Sequence, residues 1–252
     1  MAVIAIVTGA TGGLGRKFVE EIALSEEIDE IWAVGRNAEK LESLRKSCSK
    51  VVPVEEDLSS GKCSRIGELL DQKRPEVRIL VNNAGTAYMG LFEEMEEERV
   101  AELCAINCTA PAVLTRRVLP YMKEGARILN ISSASSFQPN PYLTMYSASK
   151  VFLTNFSRAL GEELKPRKIT VTAVCPGWVD TGMLPRKKDG KEIRYPGMIS
   201  PEQVVTVALK DSAGGRALSL PGFFAKYFSF YSKVMPTRIV MRQWSRSVRK
   251  YV

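Results

Sequence analysis

The chain contains no histidine. That absence excludes Ser-His-Asp and Cys-His nucleophilic chemistry, leaves zinc without its usual imidazole ligand, and points to no metal site. Any general acid must come from tyrosine, lysine, cysteine or a carboxylate. Cysteines are few: those at 48, 63, 104, 108 and 175 form no CxxC pair, and their odd number builds no disulfide framework. They read as reduced thiols. No basic residue precedes Arg16, so the charged start of a signal peptide is missing and the expected location is cytoplasmic. Repeats, low-complexity stretches and linkers are missing too, and the economical reading is one domain over residues 1–252.

Acidic residues fail in one region. From Arg216 to the end there is no Asp or Glu, against eight basic residues (Arg216, Lys226, Lys233, Arg238, Arg242, Arg246, Arg249 and Lys250). Removing those eight from the 36 Lys and Arg leaves 28, equal to the 28 Asp and Glu, so the whole net charge of +8 sits in the tail. No recognisable DNA- or RNA-binding motif accompanies it, so nucleic acid is not expected as a partner. A composition of 45% hydrophobic and 25% charged residues otherwise suits a folded core.

What is present is a regular alternation. Apolar, β-branched runs at about 3–7, 30–34, 51–54, 78–82, 126–132, 169–175 and 216–220 read as strands buried on both faces. Helical stretches at about 13–24, 38–47, 61–72, 99–122, 144–164 and 201–210 lie between them. The expected fold is α/β: a doubly wound parallel sheet of about seven strands with helices on both faces, its ligands at the carboxyl ends of the strands.

The chemistry-bearing residues fall at those ends. Strand 3–7 runs into Thr8-Gly9-Ala10-Thr11-Gly12-Gly13-Leu14-Gly15 and then a helix, which suits a pyrophosphate on a helix N-terminus. The spacing, TGxxxGxG rather than GxGxxG, implies a variant Rossmann-like dinucleotide site; a tight turn without ligand is the alternative. An NAD site would place an acid at the end of the second strand, and this chain has Gly35-Arg36-Asn37 there. A guanidinium suits a 2′-phosphate, so NADP(H) is favoured over NAD(H), unless Arg36 merely caps its loop. Asp57-Leu58 follows the third strand at a place that suits an adenine amino group, and Asn82-Asn83-Ala84-Gly85 closes the fourth. Asx turns are the plain reading of both.

Ser132 and Ser133 end the fifth strand, as site hydroxyls or as turn residues, and Pro176-Gly177-Trp178-Val179-Asp180-Thr181 ends the sixth, a rigid turn that would bring backbone groups and a hydroxyl to a nicotinamide amide. Tyr146-Ser147-Ala148-Ser149-Lys150 puts a phenol and an ammonium on one helical face. A fixed cation there would lower the phenol pKa from about 10 and make it a proton donor or acceptor near neutrality. The alternative is a surface helix with an incidental pair.

Together, TGxxxGxG, NNAG, Asn107, Ser133, YxxxK and PGxVxT in that order make residues 1–221 resemble the short-chain dehydrogenase/reductase family. The resemblance implies a catalytic tetrad of Asn107, Ser133, Tyr146 and Lys150, with Ser133 preferred over Ser132 for its distance from Tyr146. It implies cofactor contacts from Gly9, Thr11, Gly13, Leu14, Gly15, Arg36, Asp57, Leu58, Asn83, Ala84, Gly85, Tyr146, Lys150, Pro176, Gly177, Val179 and Thr181. Lys150 would also hold the nicotinamide ribose, and Asn107 a water linking Lys150 to solvent. Helices 99–122 and 144–164 would pair into a homodimer or homotetramer.

Two segments concern the substrate. Residues 181–200 lie where the family carries a mobile lid; Arg186, Lys187, Lys188, Lys191 and Arg194 there attract an anionic substrate or simply solvate the loop. Residues 222–252 depart from the family's acyl-carrier ketoacyl reductases, which end soon after the last strand. They begin with Phe223, Phe224, Tyr227, Phe228, Phe230 and Tyr231. This extension reads as an apolar wall over the pocket, a peripheral membrane contact, a dimer contact or further packing. The function expected is an NADP(H)-dependent oxidoreductase acting on a hydrophobic ketone or alcohol of steroid, long acyl or aromatic type. A 3-ketoacyl thioester reductase, or a membrane-peripheral cofactor-sensing protein with little turnover, is the alternative.

Overall fold

A computed structural model describes residues 1–182, 187–188, 191–193 and 195–249. Arg186, Arg194 and Lys250 lie outside the described residues, as do other parts of the expected lid. Strands β1 (Val3–Thr8), β2 (Glu30–Gly35), β3 (Val51–Glu55), β4 (Glu76–Asn82), β5 (Arg127–Ile131) and β6 (Thr170–Val174) agree with the apolar runs. Two-residue strands β7 (Lys187–Lys188) and β8 (Lys191–Glu192) form a separate small hairpin, and β9 (Leu218–Ser219) pairs with β6. The main sheet is parallel throughout, in the order β3-β2-β1-β4-β5-β6-β9. Its strand order reverses direction between β1 and β4, which opens a crevice at their carboxyl ends.

Helices α1 (Gly13–Ala23), α2 (Ala38–Ser47) and α7 (Pro201–Ala213) cover one face of the sheet. Phe18, Ile22, Leu41, Val204 and Ala208 pack there against Ala5, Val7, Ile79 and Val81. On the other face, Ile66 and Leu70 of α3 (Ser64–Lys73) and Leu114 and Val118 of α5 (Ala110–Val118) pack on Ile4, Ile6 and Leu80. Successive residues of β1 thus serve opposite cores, as a strand's two-residue period requires.

The expected helix 99–122 is interrupted. α4 (Glu97–Cys104) passes into a π turn, Ala105–Thr109, before α5, which ends at Val118. The cause is Pro111: a continuous α-helix would need its N–H to bond the carbonyl of residue 107, and proline has none. Asn107 occupies the middle of this wider turn. The last helices, α6 (Thr144–Leu164), α8 (Phe223–Val234) and α9 (Thr237–Val248), complete the chain. Pro236 separates α8 from α9, and Tyr231 of the first helix donates to Gln243 Oε1 of the second.

A buried chain of amides locks α6 to the sheet. Asn82 Nδ2 donates to Asn130 Oδ1 at 2.7 Å, Asn130 Nδ2 to Ser157 Oγ at 2.8 Å, and Ser157 Oγ to the Leu153 carbonyl at 2.6 Å. With every link satisfied, such a network fixes the register of the helix rather than merely adding stability.

Candidate active site

A cleft of about 940 Å³ runs along the carboxyl ends of the strands. At one end lies the glycine turn. Gly9 has φ +63°, and the first turn of α1 opens on the cleft behind Gly12, with no side-chain cap and no acidic residue. Uncapped helix N–H groups beside a turn without side chains are what an anionic pyrophosphate needs. Gly9, Thr11, Gly13 and Leu14 all line the cleft; Gly15 does not. A Cβ on Gly15 would stand 2.1 Å from the Gly9 carbonyl oxygen and 2.7 Å from Asn83 Nδ2. Packing by itself requires a glycine at this position.

The neighbouring turn from β4 is tied to this one. Asn83 Nδ2 donates to the carbonyls of Thr8 and Gly9, while the N–H groups of Asn83 and Ala84 both donate to Thr8 Oγ1 at 3.0 Å. Asn83, Ala84 and Gly85 still line the cleft. The Asx motif is therefore both a turn and a wall.

Arg36 lies at the end of β2, mostly exposed, with Glu102 at 3.9 Å. Lys40, which the sequence pattern passed over, joins it on the cleft wall from the first turn of α2, where its N–H is bonded by the cap residue Asn37. Asp57 accepts from Ser59 N–H at 2.9 Å, and that bond, aided by the nearby Arg36 charge, holds its carboxyl below the usual range. Asp57 and Leu58 line the cleft.

The two serines part company. Ser132 Oγ donates to the Lys150 carbonyl at 2.8 Å and meets Thr154 Oγ1 at 2.7 Å, so it braces α6. Ser133 lines the cleft with Tyr146, and its hydroxyl favours the charged form of the phenol. Lys150 is buried, and its Nζ donates to the Ile131 carbonyl at 2.8 Å and lies 5.5 Å from the centre of the Tyr146 ring. Burial brings its pKa down to about 8.

The expected lowering of the phenol pKa by Lys150 is not what this structure holds. Burial pushes Tyr146 above its ordinary value, and the neighbouring Ser133 hydroxyl offsets only part of that. The ammonium is turned to a backbone carbonyl at the ring's face rather than to the phenol oxygen, so desolvation of the phenolate prevails.

Asn107 does not reach the cleft wall. Its Nδ2 donates to the Thr86 carbonyl at 2.9 Å and to Ser149 Oγ at 3.0 Å, and its Oδ1 accepts from Thr86 N–H at 2.9 Å. A side chain on Gly85 would lie 3.4 Å from this Oδ1 and 3.5 Å from Lys150 Nζ, which places both groups behind the same glycine.

Pro176, Gly177, Val179 and Thr181 line the cleft at the end of β6, and the segment is pinned by backbone bonds between Trp178 or Asp180 and Ile199. Beyond them the wall is aromatic, built by Trp178 and by residues of the extension, for which a wall over the pocket is one of the open readings. Trp178, Phe224, Phe228 and Trp244 line this end with Met89 and Leu143. Trp244 stacks on Trp178 with centroids 6.1 Å apart, and its Nε1 donates to the Pro141 carbonyl at 2.9 Å. Phe224 lies over Gly177 and Gly197. Of the readings open for the extension, a wall over the pocket is the one its inner face adopts.

The residues fit a dinucleotide: a charge-accepting turn at the centre, cations at one end, and a phenol–serine pair at the other. A family model described as short chain dehydrogenase matches residues 3–192. Over 94% of its length the chain is 32% identical to a very-long-chain 3-oxoacyl-CoA reductase of Anas platyrhynchos, covering 77% of that protein. It is 38% identical to the inactive hydroxysteroid dehydrogenase-like protein 1 of Homo sapiens over 71% of this chain, spanning 56% of that relative. A solved short-chain dehydrogenase from Sphingobium yanoikuyae in complex with NADPH superposes with a TM-score of 0.77 at 25% identity, covering 91% of this chain and 92% of that one.

Proposed function

Since the chain belongs to the short chain dehydrogenase family of oxidoreductases, we propose that it uses NADP(H) to interconvert a ketone and a secondary alcohol on a hydrophobic substrate. The observation that carries this reading is the meeting of Ser133, Tyr146 and Lys150 on the cleft wall, where the cleft passes from its glycine turn into its aromatic end. When bound, the nicotinamide supplies or accepts the hydride.

The hydroxyls of Ser133 and Tyr146 bind the carbonyl oxygen, where negative charge grows as reduction proceeds. Tyr146, held above its ordinary pKa, is fully protonated at neutral pH and gives its proton to that oxygen. Lys150, with a pKa of about 8, is largely charged at neutrality and holds the nicotinamide ribose. Asn107 has spent both amide hydrogens on the protein but keeps a lone pair on Oδ1, which suits the water expected beside Lys150. Arg36 and Lys40 support NADP(H) over NAD(H), because two cations and no carboxylate from β2 meet the adenosine ribose end.

The substrate side is supported by Trp178, Phe224, Phe228, Trp244, Met89 and Leu143, an apolar wall suited to a steroid, long acyl or aromatic ketone. A 3-ketoacyl thioester is the second reading, favoured by the activity named for the Anas platyrhynchos relative. The occupied positions 133, 146 and 150 argue for turnover rather than cofactor sensing alone. A homo-oligomer is the assembly we assign, supported by exposed Val151 and Phe152 on the outer face of α6.

The deciding experiment measures oxidation of NADPH and of NADH against steroids, long-chain 3-ketoacyl thioesters, quinones and small ketones. NADPH-dependent turnover of a large apolar ketone or acyl thioester is expected. Turnover confined to small polar carbonyls, or equal use of NADH, would overturn the respective part.

A further inference from the structure

We propose that the outer face of α8, with the cations of α9, docks the protein on an anionic lipid surface. α8 has two faces of opposite use. Phe224 and Phe228 line the cleft, whereas Phe223, Tyr227, Phe230 and Val234 point outward at 82%, 50%, 69% and 63% exposure. Their spacing of three and four residues makes one stripe along the helix. Large apolar side chains gathered in one exposed stripe mark an interaction face rather than the scattered exposure normal for a surface.

The charged residues of the segment that carries the stripe are all cations. Lys226 and Lys233 on α8 and Arg238, Arg242, Arg246 and Arg249 at α9 are all exposed, and the sequence from Arg216 onward contains no acid. Aromatic rings seat at the boundary of headgroups and acyl chains, and the long aliphatic stems of Lys and Arg let their charges reach phosphate and carboxylate headgroups. Among the described residues no helix is long and apolar enough to cross a bilayer, so the geometry is that of lying on the surface.

A second copy of the chain fits this face poorly. A two-fold contact sets a patch against itself, and here that would bring the same cations together without an acid from the segment to meet them. An anionic bilayer answers both the stripe and the charge. The docking inference stands apart from the catalytic reading, since neither Phe223 nor Phe230 lines the cleft.

The test is co-sedimentation of the full chain with vesicles of phosphatidylcholine alone and with phosphatidylserine added, at low and high salt. Binding to the serine-containing vesicles is expected to be on the order of ten-fold tighter and to weaken with salt. The exposed double variant Phe223→Glu/Phe230→Glu should lose that binding while keeping its turnover of a water-soluble ketone. Arg238→Gln/Arg242→Gln should weaken it without touching the stripe. Negligible pelleting, equal pelleting on both vesicle types, or wild-type binding by both variants would overturn the proposal. A concentration-dependent dimer in light scattering that the Phe223→Glu/Phe230→Glu variant abolishes would assign the face to a second copy instead, and an acidic protein partner binding there without vesicle binding would equally displace the lipid.

Discussion

The two ends of the cleft are built by different means. The glycine end is backbone: amides of the first turn of α1, the Thr8–Asn83 bonds between neighbouring strand ends, and a Gly15 so closely packed that no Cβ fits. The aromatic end is side chain: rings from Trp178, Phe224, Phe228 and Trp244, drawn from segments up to 66 positions apart, line it together. A diphosphate is recognised by groups every residue carries, so only the absence of side chains needs encoding. An apolar substrate is recognised by shape, which needs particular side chains from distant places.

Four changes would break or sharpen this contrast, in order of expected effect. Tyr146→Phe, at the junction of the two ends, should cost a factor of about 10² to 10⁴ in turnover, the range for a lost general acid. NADPH binding, read by fluorescence, should survive. Turnover near that of the wild type would remove Tyr146 from the chemistry.

Gly15→Ala should act on the glycine end alone. Its Cβ would press on the Gly9 carbonyl, which is backbone and cannot swing aside. The expected loss is about 1–3 kcal/mol of stability, seen as a lower Tm, together with weaker NADPH binding. An unchanged Tm would show that α1 can shift at little cost.

Trp244→Ala should act on the aromatic end alone. It removes a ring stacked on Trp178, and about ten-fold in kcat/KM toward a large apolar ketone is expected to go with it. The Kd for NADPH should stay where it is. Equal losses in both quantities would mean the two ends are not separable.

The smallest effect is one of pH. Lys150 has a folded pKa brought down to about 8, so its charge is present below that value and lost as pH rises through it. Tyr146 stands above its ordinary value and remains protonated across the same range. Reductive kcat/KM should therefore be level near neutrality and fall on the alkaline side of about pH 8. Lys150→Arg, which keeps its charge, should move that limb upward; a limb that stays put would assign it to another group.

Much of the glycine end was legible in the chain because its requirements are local. Strand, turn and helix follow one another within residues 3–23, the sites at 83–85 and 133 sit just past the ends of parallel strands, and 146 and 150 share one face of the helix that follows. Other features were hidden for physical reasons. Lys40 escaped notice because a lysine in the first turn of a helix looks like any solvated residue until β3 and α4 close the cleft around it. The packing need for Gly15 was hidden because a glycine required by packing and one required by a phosphate are the same letter.

The choice between Ser132 and Ser133 shows the division well. Both lie past the end of β5, and their spacing to Tyr146 differs by one. Alternation sends neighbouring side chains to opposite sides, so Ser132 braces α6 and Ser133 meets the phenol. The pKa of Tyr146 was beyond the sequence altogether, since adjacency to Lys150 on a helix says nothing of how far each group is removed from water.

By itself, the sequence determined the alternating strands and helices, the glycine turn, the phenol–ammonium pair and the placing of all excess charge in the last residues, because each is a matter of local pattern or count. Only the tertiary structure decided that Asn107 stands behind the cleft, that burial rather than the lysine charge governs the phenol, and that α8 turns one aromatic face to the pocket and the other outward. Those depend on desolvation and on contacts between residues far apart in the chain, and neither is written in the order of the residues.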